Sequence, residues 1–256
     1  MSFNDEWTRA VVLIVDNRND RDRAVGTGFI VTRGPEESAT GFLVTAEHVV
    51  RGLPESETLI RFRDSDLNLQ AATIRGSWGF PFDGMDLAVM PIASRQPLGL
   101  YAFRMEHTTE AIGFEPGLGT TVETIGLLDD VPMMTRYAVP FVRTATIGAK
   151  DIPGVTYGTD GQWRTTAHLL DSRSNLGASG SPVFALAPHV DLASSPPQVP
   201  AEWHGHSTGL RPVLRFKALF GMLLAHGKTA EIGIVLPVEF IRQGIDQIAA
   251  EIEQRT

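Results

Sequence analysis

Short apolar runs separated by turn residues dominate the chain, and this spacing predicts an all-β protein. About six runs lie in each half of the sequence, which we interpret as two six-stranded β-barrels packed together. The first half carries AVVLIV, GTGFIVTRG, GFLVTAEHVV, TLIRFR, LQAATIRGSW and DLAVMPI. The second half carries TVETIGLL, RYAVPFVRTATIGA, TTAHLL, SPVFAL, KALFGMLLAH and EIGIVLPV.

Three segments interrupt this pattern. The apolar spacing weakens at Ile112–Thr120, so we place a domain boundary there, with residues 1–115 in the first barrel and residues 116–256 in the second. The segment Ala187–Pro212 is rich in Pro, Ser and Gly and predicts either a long surface loop or partial disorder. After Pro237 apolar residues recur every three to four positions, which predicts an amphipathic C-terminal helix packed on the second barrel.

Composition acts mainly by excluding classes of protein. The chain has 256 residues, enough for a substantial core, and its net charge of −8 disfavours nucleic acid or an anionic membrane as partner. It contains no cysteine, so a disulfide framework and a thiolate site are both excluded. The N-terminus MSFNDEWTR is unlike a signal peptide, and no apolar run approaches the roughly 20 residues that span a bilayer. We therefore expect a cytoplasmic protein.

Polar residues embedded among the apolar runs are the candidates for chemistry. Ser179 lies in the small-residue stretch SNLGASGSPVF, and His48 follows an apolar strand in LVTAEHVV. Asp86 opens the run DLAVMPI, where a carboxylate is costly unless it is hydrogen-bonded, whereas Asp83 precedes a glycine as a turn former does. Singly, these residues fit a plain turn, a half-buried histidine and a strand-end cap. Together they follow the order His, Asp, Ser of a catalytic triad, which predicts a site between the two barrels.

These segments resemble the chymotrypsin/trypsin-fold serine proteases, specifically the bacterial HtrA-like branch. The resemblance rests on GTGFIV, TAEHVV, DLAVMPI, DSRSNLGASGSPVF, FGMLLAH and EIGIVLPVEFI, and covers nearly the whole chain. It implies a serine endopeptidase with Ser179 as nucleophile, His48 as general base and acid, and Asp86 as the carboxylate that orients the imidazole. It also implies an oxyanion hole made by the amides of Gly177 and Ser179, and a protein or peptide as substrate.

The chain departs from the pattern of that family at two positions near the serine. Ser181 stands where the family usually has a second glycine after the nucleophile. Ala178 stands where zymogen-activated trypsins carry the aspartate that pairs with a newly released N-terminal amine. We therefore expect activity without N-terminal processing. We also expect no PDZ domain after the C-terminal helix.

The resemblance assigns the substrate pocket to Arg173, Ser174, Leu223 and His226. If Arg173 points into the pocket, charge pairing favours an acidic P1 side chain. If Arg173 points to solvent, Leu223 and its neighbours favour a small or medium apolar P1 side chain. Both alternatives disfavour a basic P1 residue.

Other functions fit the sequence less well. The α/β-hydrolase motif needs glycine two residues on either side of the serine, and Ser181 breaks it. GTG is too short for a dinucleotide fingerprint, and a metal site built from His189, His204 and His206 lacks a carboxylate cluster. The main alternative is a catalytically inactive trypsin-fold module that binds peptides or proteins. No metal or organic cofactor is implied, and the sequence carries no signal for an oligomeric state.

Overall fold

The structure is a computed structural model. It describes residues 5–18, 22–34, 40–64, 68–92, 102–126, 138, 140–158, 160–171, 178–186, 217–226 and 232–254. Within these ranges, no helix has the length and apolar character needed to cross a membrane.

The first half of the chain forms one sheet, mostly antiparallel, closed by a short bridge. Six of its strands pair antiparallel in the order β5-β4-β1-β2-β3-β6, and the short strand β7 pairs in parallel with β2. The two ends of this path meet where Gly79 and Val89 exchange backbone hydrogen bonds of 2.8 and 3.0 Å. The strands are β1 (Val11–Asp16), β2 (Arg23–Arg33), β3 (Thr40–Thr45), β4 (Glu57–Arg63), β5 (Leu69–Arg75), β6 (Ala88–Ile92) and β7 (Phe103–Arg104).

Strand β1 shows why its sequence is apolar on both faces. Val12 and Ile14 point into the main core. Leu13 and Val15 point the other way, into a separate cluster that contains Ala24. Because both faces are covered, the strand reads as a continuous apolar run rather than an alternating one.

The second half forms a closed barrel with the strand order β10-β13-β12-β11-β8-β9. The prediction of an all-β protein with two strand-built halves is confirmed. The domain boundary between residues 115 and 116 stays a prediction. The strands are β8 (Thr121–Gly126), β9 (Phe141–Tyr157), β10 (Trp163–Asp171), β11 (Pro182–Leu186), β12 (Lys217–His226) and β13 (Ile232–Pro237).

In the described ranges, three α-helices pack on this framework: α1 (Asp5–Arg9), α2 (Glu47–Val50) and α3 (Val238–Glu253). The predicted C-terminal helix α3 begins directly after Pro237 and buries Ile241, Ile245 and Ile248. The helix contacts β12 and β13 of the second barrel as expected, and in addition Ile248 lies against Gly79 of the first half. The helix thus joins the two halves.

Helix α1 was not expected from the sequence, because five residues are too few to show a helical period. Trp7 of this helix packs against Phe103 and Phe184, with ring centroids 5.5 and 5.0 Å apart. Helix α1 is therefore packed against the core of the fold through Trp7.

His168 is a buried histidine inside the second barrel. Its side chain is almost fully buried and its ring stacks on Phe220 at 4.5 Å. Its Nδ1 accepts a hydrogen bond of 3.2 Å from the backbone N–H of Asp151. Burial lowers the pKa of His168 to about 4, although the Asp151 carboxylate acts in the opposite direction. The folded protein therefore holds this imidazole neutral.

This burial makes the stability of the protein depend on pH. Below the ordinary histidine pKa of 6.5, the unfolded chain takes up a proton that the folded chain does not bind until its own pKa of about 4. The stabilising contribution of neutral His168 is therefore complete above pH 6.5 and is lost as the pH falls toward 4. We expect about 2 kcal/mol of the free energy of unfolding to be lost between pH 7 and pH 5.

Urea unfolding of the wild-type chain and of His168→Gln at both pH values measures this loss. Glutamine keeps a hydrogen-bond acceptor but does not titrate, so the variant should show a smaller loss than the wild type. An equal loss in both chains would contradict the assignment.

Candidate active site

The strand register brings His48 and Asp86 together. Strands β3 and β6 are antiparallel neighbours, with Thr45 opposite Ala88 at the end of their ladder. His48 follows Thr45 by three residues, and Asp86 precedes Ala88 by two. Both side chains therefore leave the same end of adjacent strands, although they are 38 residues apart in sequence.

The two residues form a closely hydrogen-bonded pair. The backbone N–H of His48 donates to Oδ1 of Asp86 at 2.8 Å, and Nδ1 of His48 lies 2.6 Å from Oδ2. Asp86 is fully buried, whereas the His48 side chain is 35% exposed. Because an ionised carboxylate only accepts hydrogen bonds, Nδ1 carries the proton and Nε2 is left as the basic nitrogen. The pair thus presents Nε2 of a partly exposed imidazole as a base.

Ser179 lies in a turn that is fastened to the first half of the chain. The backbone carbonyl of Ser179 accepts a hydrogen bond of 3.0 Å from the N–H of Thr27 in β2. The carbonyl of Thr27 in turn accepts 2.7 Å from the hydroxyl of Thr45, three residues before His48. A chain of hydrogen bonds therefore links the turn that carries the serine to the strand that carries the histidine.

Gly180 is the residue that allows this close approach. Its φ is +84°, in the left-handed region that favours glycine. A Cβ at this position would collide with the carbonyl of Thr27 and the hydroxyl of Thr45. The N–H of Gly180 donates to the carbonyl of Leu223 in β12 at 2.8 Å. The turn is thus held between the two halves by its backbone.

The hydroxyl of Ser179 stands apart from these contacts. In the described part of the chain, His48 bonds to Asp86, and no hydrogen bond joins its ring to the Ser179 hydroxyl. Hydrogen bonds between nucleophile and base are often long in unliganded enzymes and tighten when substrate binds.

Comparisons with known proteins identify the architecture. No protein-family model and no curated protein matches the chain. A crystal structure of Rv3671c from M. tuberculosis H37Rv, a serine-to-alanine mutant in its inactive form, matches with a TM-score of 0.53 and 16% identity, over 96% of this chain and 90% of that chain. The chain has the trypsin-like fold. The crystal structure of Deg5 also matches, with a TM-score of 0.54 and 14% identity over 93% and 88% of the two chains.

A third match, the Rv3671c protease in its inactive form, has a TM-score of 0.52 and 16% identity over 94% of this chain and 89% of that chain. At these identities the likeness concerns the trypsin-like fold itself. The resemblance predicted from the sequence segments is confirmed at that level.

The turn before β11 accommodates both departures from the family pattern. Ala178 is buried in the same cluster as Val183 and Leu223. Ser181 is fully buried, its N–H donates to the carbonyl of Ala178 at 3.1 Å, and its hydroxyl lies against Gly126. A serine fits at this position because Gly126 has no side chain. Among the described residues the Ser181 hydroxyl has no hydrogen-bond partner.

The predicted oxyanion hole and substrate pocket are only partly covered by the structure. Gly177, Arg173 and Ser174 lie outside the described residues, so their roles stay predictions. Leu223 is buried in the core of the second barrel. Its carbonyl accepts a hydrogen bond from Gly180, and its N–H donates to the carbonyl of Ser181. His226 ends β12, opposite Gly233. The predicted loop and the histidines of the rejected metal site also lie outside the described residues: Ala187–Pro212, His189, His204 and His206.

The tip of the β9–β10 hairpin reaches the first half of the chain, which the sequence did not indicate. The N–H of Arg164 donates to the carbonyl of Gly84 at 3.2 Å, and the Arg51 guanidinium lies 4.8 Å from the centre of the Trp163 ring. This contact leaves a pocket of about 210 Å³ lined by Glu47, Arg51, Phe80, Phe82, Asp83, Gly84, Gln162 and Trp163. No local spacing of aromatic residues marks this contact, because its members are distant in sequence.

Proposed function

We propose that the chain is a serine endopeptidase that acts through His48, Asp86 and Ser179. The observation that carries the proposal is the His48–Asp86 pair. A fully buried carboxylate that receives two hydrogen bonds from one histidine fixes the tautomer and orientation of the imidazole. The glycine-dependent serine turn is attached to β2, the neighbour of the strand that leads to His48, which supports a nucleophile close to this pair.

The reaction then follows the chemistry of an acyl-enzyme. The Ser179 oxygen attacks the peptide carbonyl while Nε2 of His48 takes the hydroxyl proton. The amides of Gly177 and Ser179 donate to the oxyanion, and the imidazolium returns its proton to the leaving amine as the C–N bond breaks. Water, activated by the same nitrogen, hydrolyses the ester and regenerates the serine. Asp86 stabilises the imidazolium in both halves of the reaction.

We further propose that the protein needs no N-terminal processing. Ala178 packs among apolar side chains, so this position offers no carboxylate to pair with a newly released amine. Trp7 packs edge-on against Phe184, close in sequence to Ser179, so the N-terminal segment already contributes to the core near the serine turn.

Cleavage of casein by the purified chain with its N-terminus intact tests both parts of the proposal. We expect cleavage while mass spectrometry shows an unprocessed N-terminus. Cleavage that begins only after N-terminal residues are lost would contradict the absence of processing. If the chain binds peptides but cleaves none of them, whether its N-terminus is intact or shortened, it is instead the inactive binding module.

A further inference from the structure

Tyr157 of the second barrel lies at the end of the β9–β10 hairpin that contacts the segment before Asp86. It ends β9 and pairs with Trp163 at the start of β10. The hydrogen bond from Arg164 to Gly84 holds this end of the hairpin against the loop that leads to Asp86. The ring of Tyr157 is buried in the main core, together with Leu87 and Trp163.

Two acidic groups, Asp86 and Glu47, act on the hydroxyl of Tyr157, and Asp86 has the larger effect. Burial raises the pKa of this phenol far above its usual range, and the negative charge of Asp86 raises it further. Glu47, in an ion pair of 2.6 Å with Arg51, adds to the same effect. Tyr157 is therefore a neutral O–H donor beside a buried carboxylate.

The contact between this donor and Asp86 falls short of a well-formed hydrogen bond. The Asp86 side chain lies close enough to act on the Tyr157 hydroxyl as a hydrogen-bond acceptor. The contact does not meet the full geometry of a hydrogen bond, and the hydroxyl has no other partner among the described residues. A buried hydroxyl without a partner is costly, and so is a buried carboxylate with spare acceptor sites. Asp86 has such sites, because each of its oxygens accepts one hydrogen bond from His48 and a carboxylate has about four lone pairs.

We propose that Tyr157 is a positioning residue that donates its hydroxyl hydrogen to the Asp86 carboxylate and so holds that carboxylate toward His48. This role rests on the proposed peptidase function. It gives the β9–β10 hairpin a part in the active site, since a segment of the second barrel then fixes the orientation of a pair built on the first. Tyr157 acts on the imidazole only through Asp86 and touches no reacting atom.

The variant Tyr157→Phe removes only the hydroxyl. Losing a hydrogen bond to a charged group should lower kcat by about tenfold, with KM unchanged within about twofold. A carboxylate with one donor fewer attracts the imidazolium more strongly. The acid limb of the kcat/KM profile should therefore move to higher pH by about half a unit.

Trp163→Phe is the matched control, because it disturbs the packing of the same hairpin and keeps the Tyr157 hydroxyl. It should lower the free energy of unfolding and leave the acid limb in place. An acid limb that is the same in Tyr157→Phe and the wild type would overturn the proposal. So would an equal shift of that limb in Trp163→Phe, because packing would then explain the effect.

Titration of the His48 ring by NMR provides a second readout that needs no turnover. The midpoint should move to higher pH in Tyr157→Phe and stay in place in Trp163→Phe, whether or not the wild type cleaves peptides. A wild-type chain without peptidase activity would contradict the proposed function. The shift of the His48 midpoint in Tyr157→Phe would still show whether Tyr157 acts on the imidazole through Asp86.

Discussion

Replacing Ser179 with alanine is expected to lower peptidase turnover by about 10⁶-fold, because no other group supplies the oxygen that forms the acyl-enzyme. The substitution removes one oxygen from a half-buried side chain that makes no hydrogen bond to His48. The backbone contact of residue 179 with Thr27 is retained. The free energy of unfolding should therefore change little. The measurements are kcat on a fluorogenic peptide and urea unfolding of the same preparations.

Ser181→Ala is the matched control for this variant. Ser181 lies two residues further on and is fully buried, and its hydroxyl has no partner among the described residues. Removing that hydroxyl should leave turnover within about threefold of the wild type and should not lower stability, because an unpaired buried polar group is removed. Substantial turnover in Ser179→Ala would mean that another group is the nucleophile.

The variant Asp86→Asn should fold normally and lose about 10⁴-fold in turnover. Asparagine has the shape of aspartate and can still accept the hydrogen bond from the His48 backbone. Its amide N–H₂ cannot accept the proton of Nδ1, so the imidazole is driven to the tautomer that carries its proton on Nε2. That nitrogen can then no longer take the proton of Ser179. The loss should appear in kcat across neutral pH, with the far-UV circular dichroism unchanged.

Asp83→Asn separates this effect from a general change of charge. Asp83 is exposed and lies in the same loop, three residues before Asp86. Its substitution removes the same charge without touching the imidazole, and turnover should stay close to that of the wild type. A loss in Asp83→Asn as large as that in Asp86→Asn would contradict the orienting role of Asp86.

Local sequence patterns predicted the strands because burial decides which residues form them. The runs AVVLIV and DLAVMPI coincide with β1 and β6, whose residues are largely buried. Helix α3 was predicted for the same reason, since one face of it is apolar at helical spacing. The order of His48, Asp86 and Ser179 predicted the pairing of the first two, and the register of β3 with β6 explains it.

The contacts between distant segments could not be predicted in this way. The bridge between Gly79 and Val89 and the reach of Arg164 to Gly84 depend on how twisted strands close in space. The proximity of Tyr157 to Asp86 could not be predicted either, because the sequence around each residue gives no indication of the other. Helix α1 was not predicted because it is too short to be stable alone and is stabilised by the packing of Trp7 against aromatic rings of other elements.

Labelling with a fluorophosphonate shows whether Ser179 is an activated nucleophile, because the probe reacts with an activated serine oxygen and loses fluoride. We expect a single adduct on the intact wild-type chain, mapped by peptide mass spectrometry to Ser179. We expect no adduct on Ser179→Ala and slow labelling of Asp86→Asn. A folded wild-type chain that is never labelled, or an adduct that maps to another residue, would contradict the role of Ser179 as nucleophile.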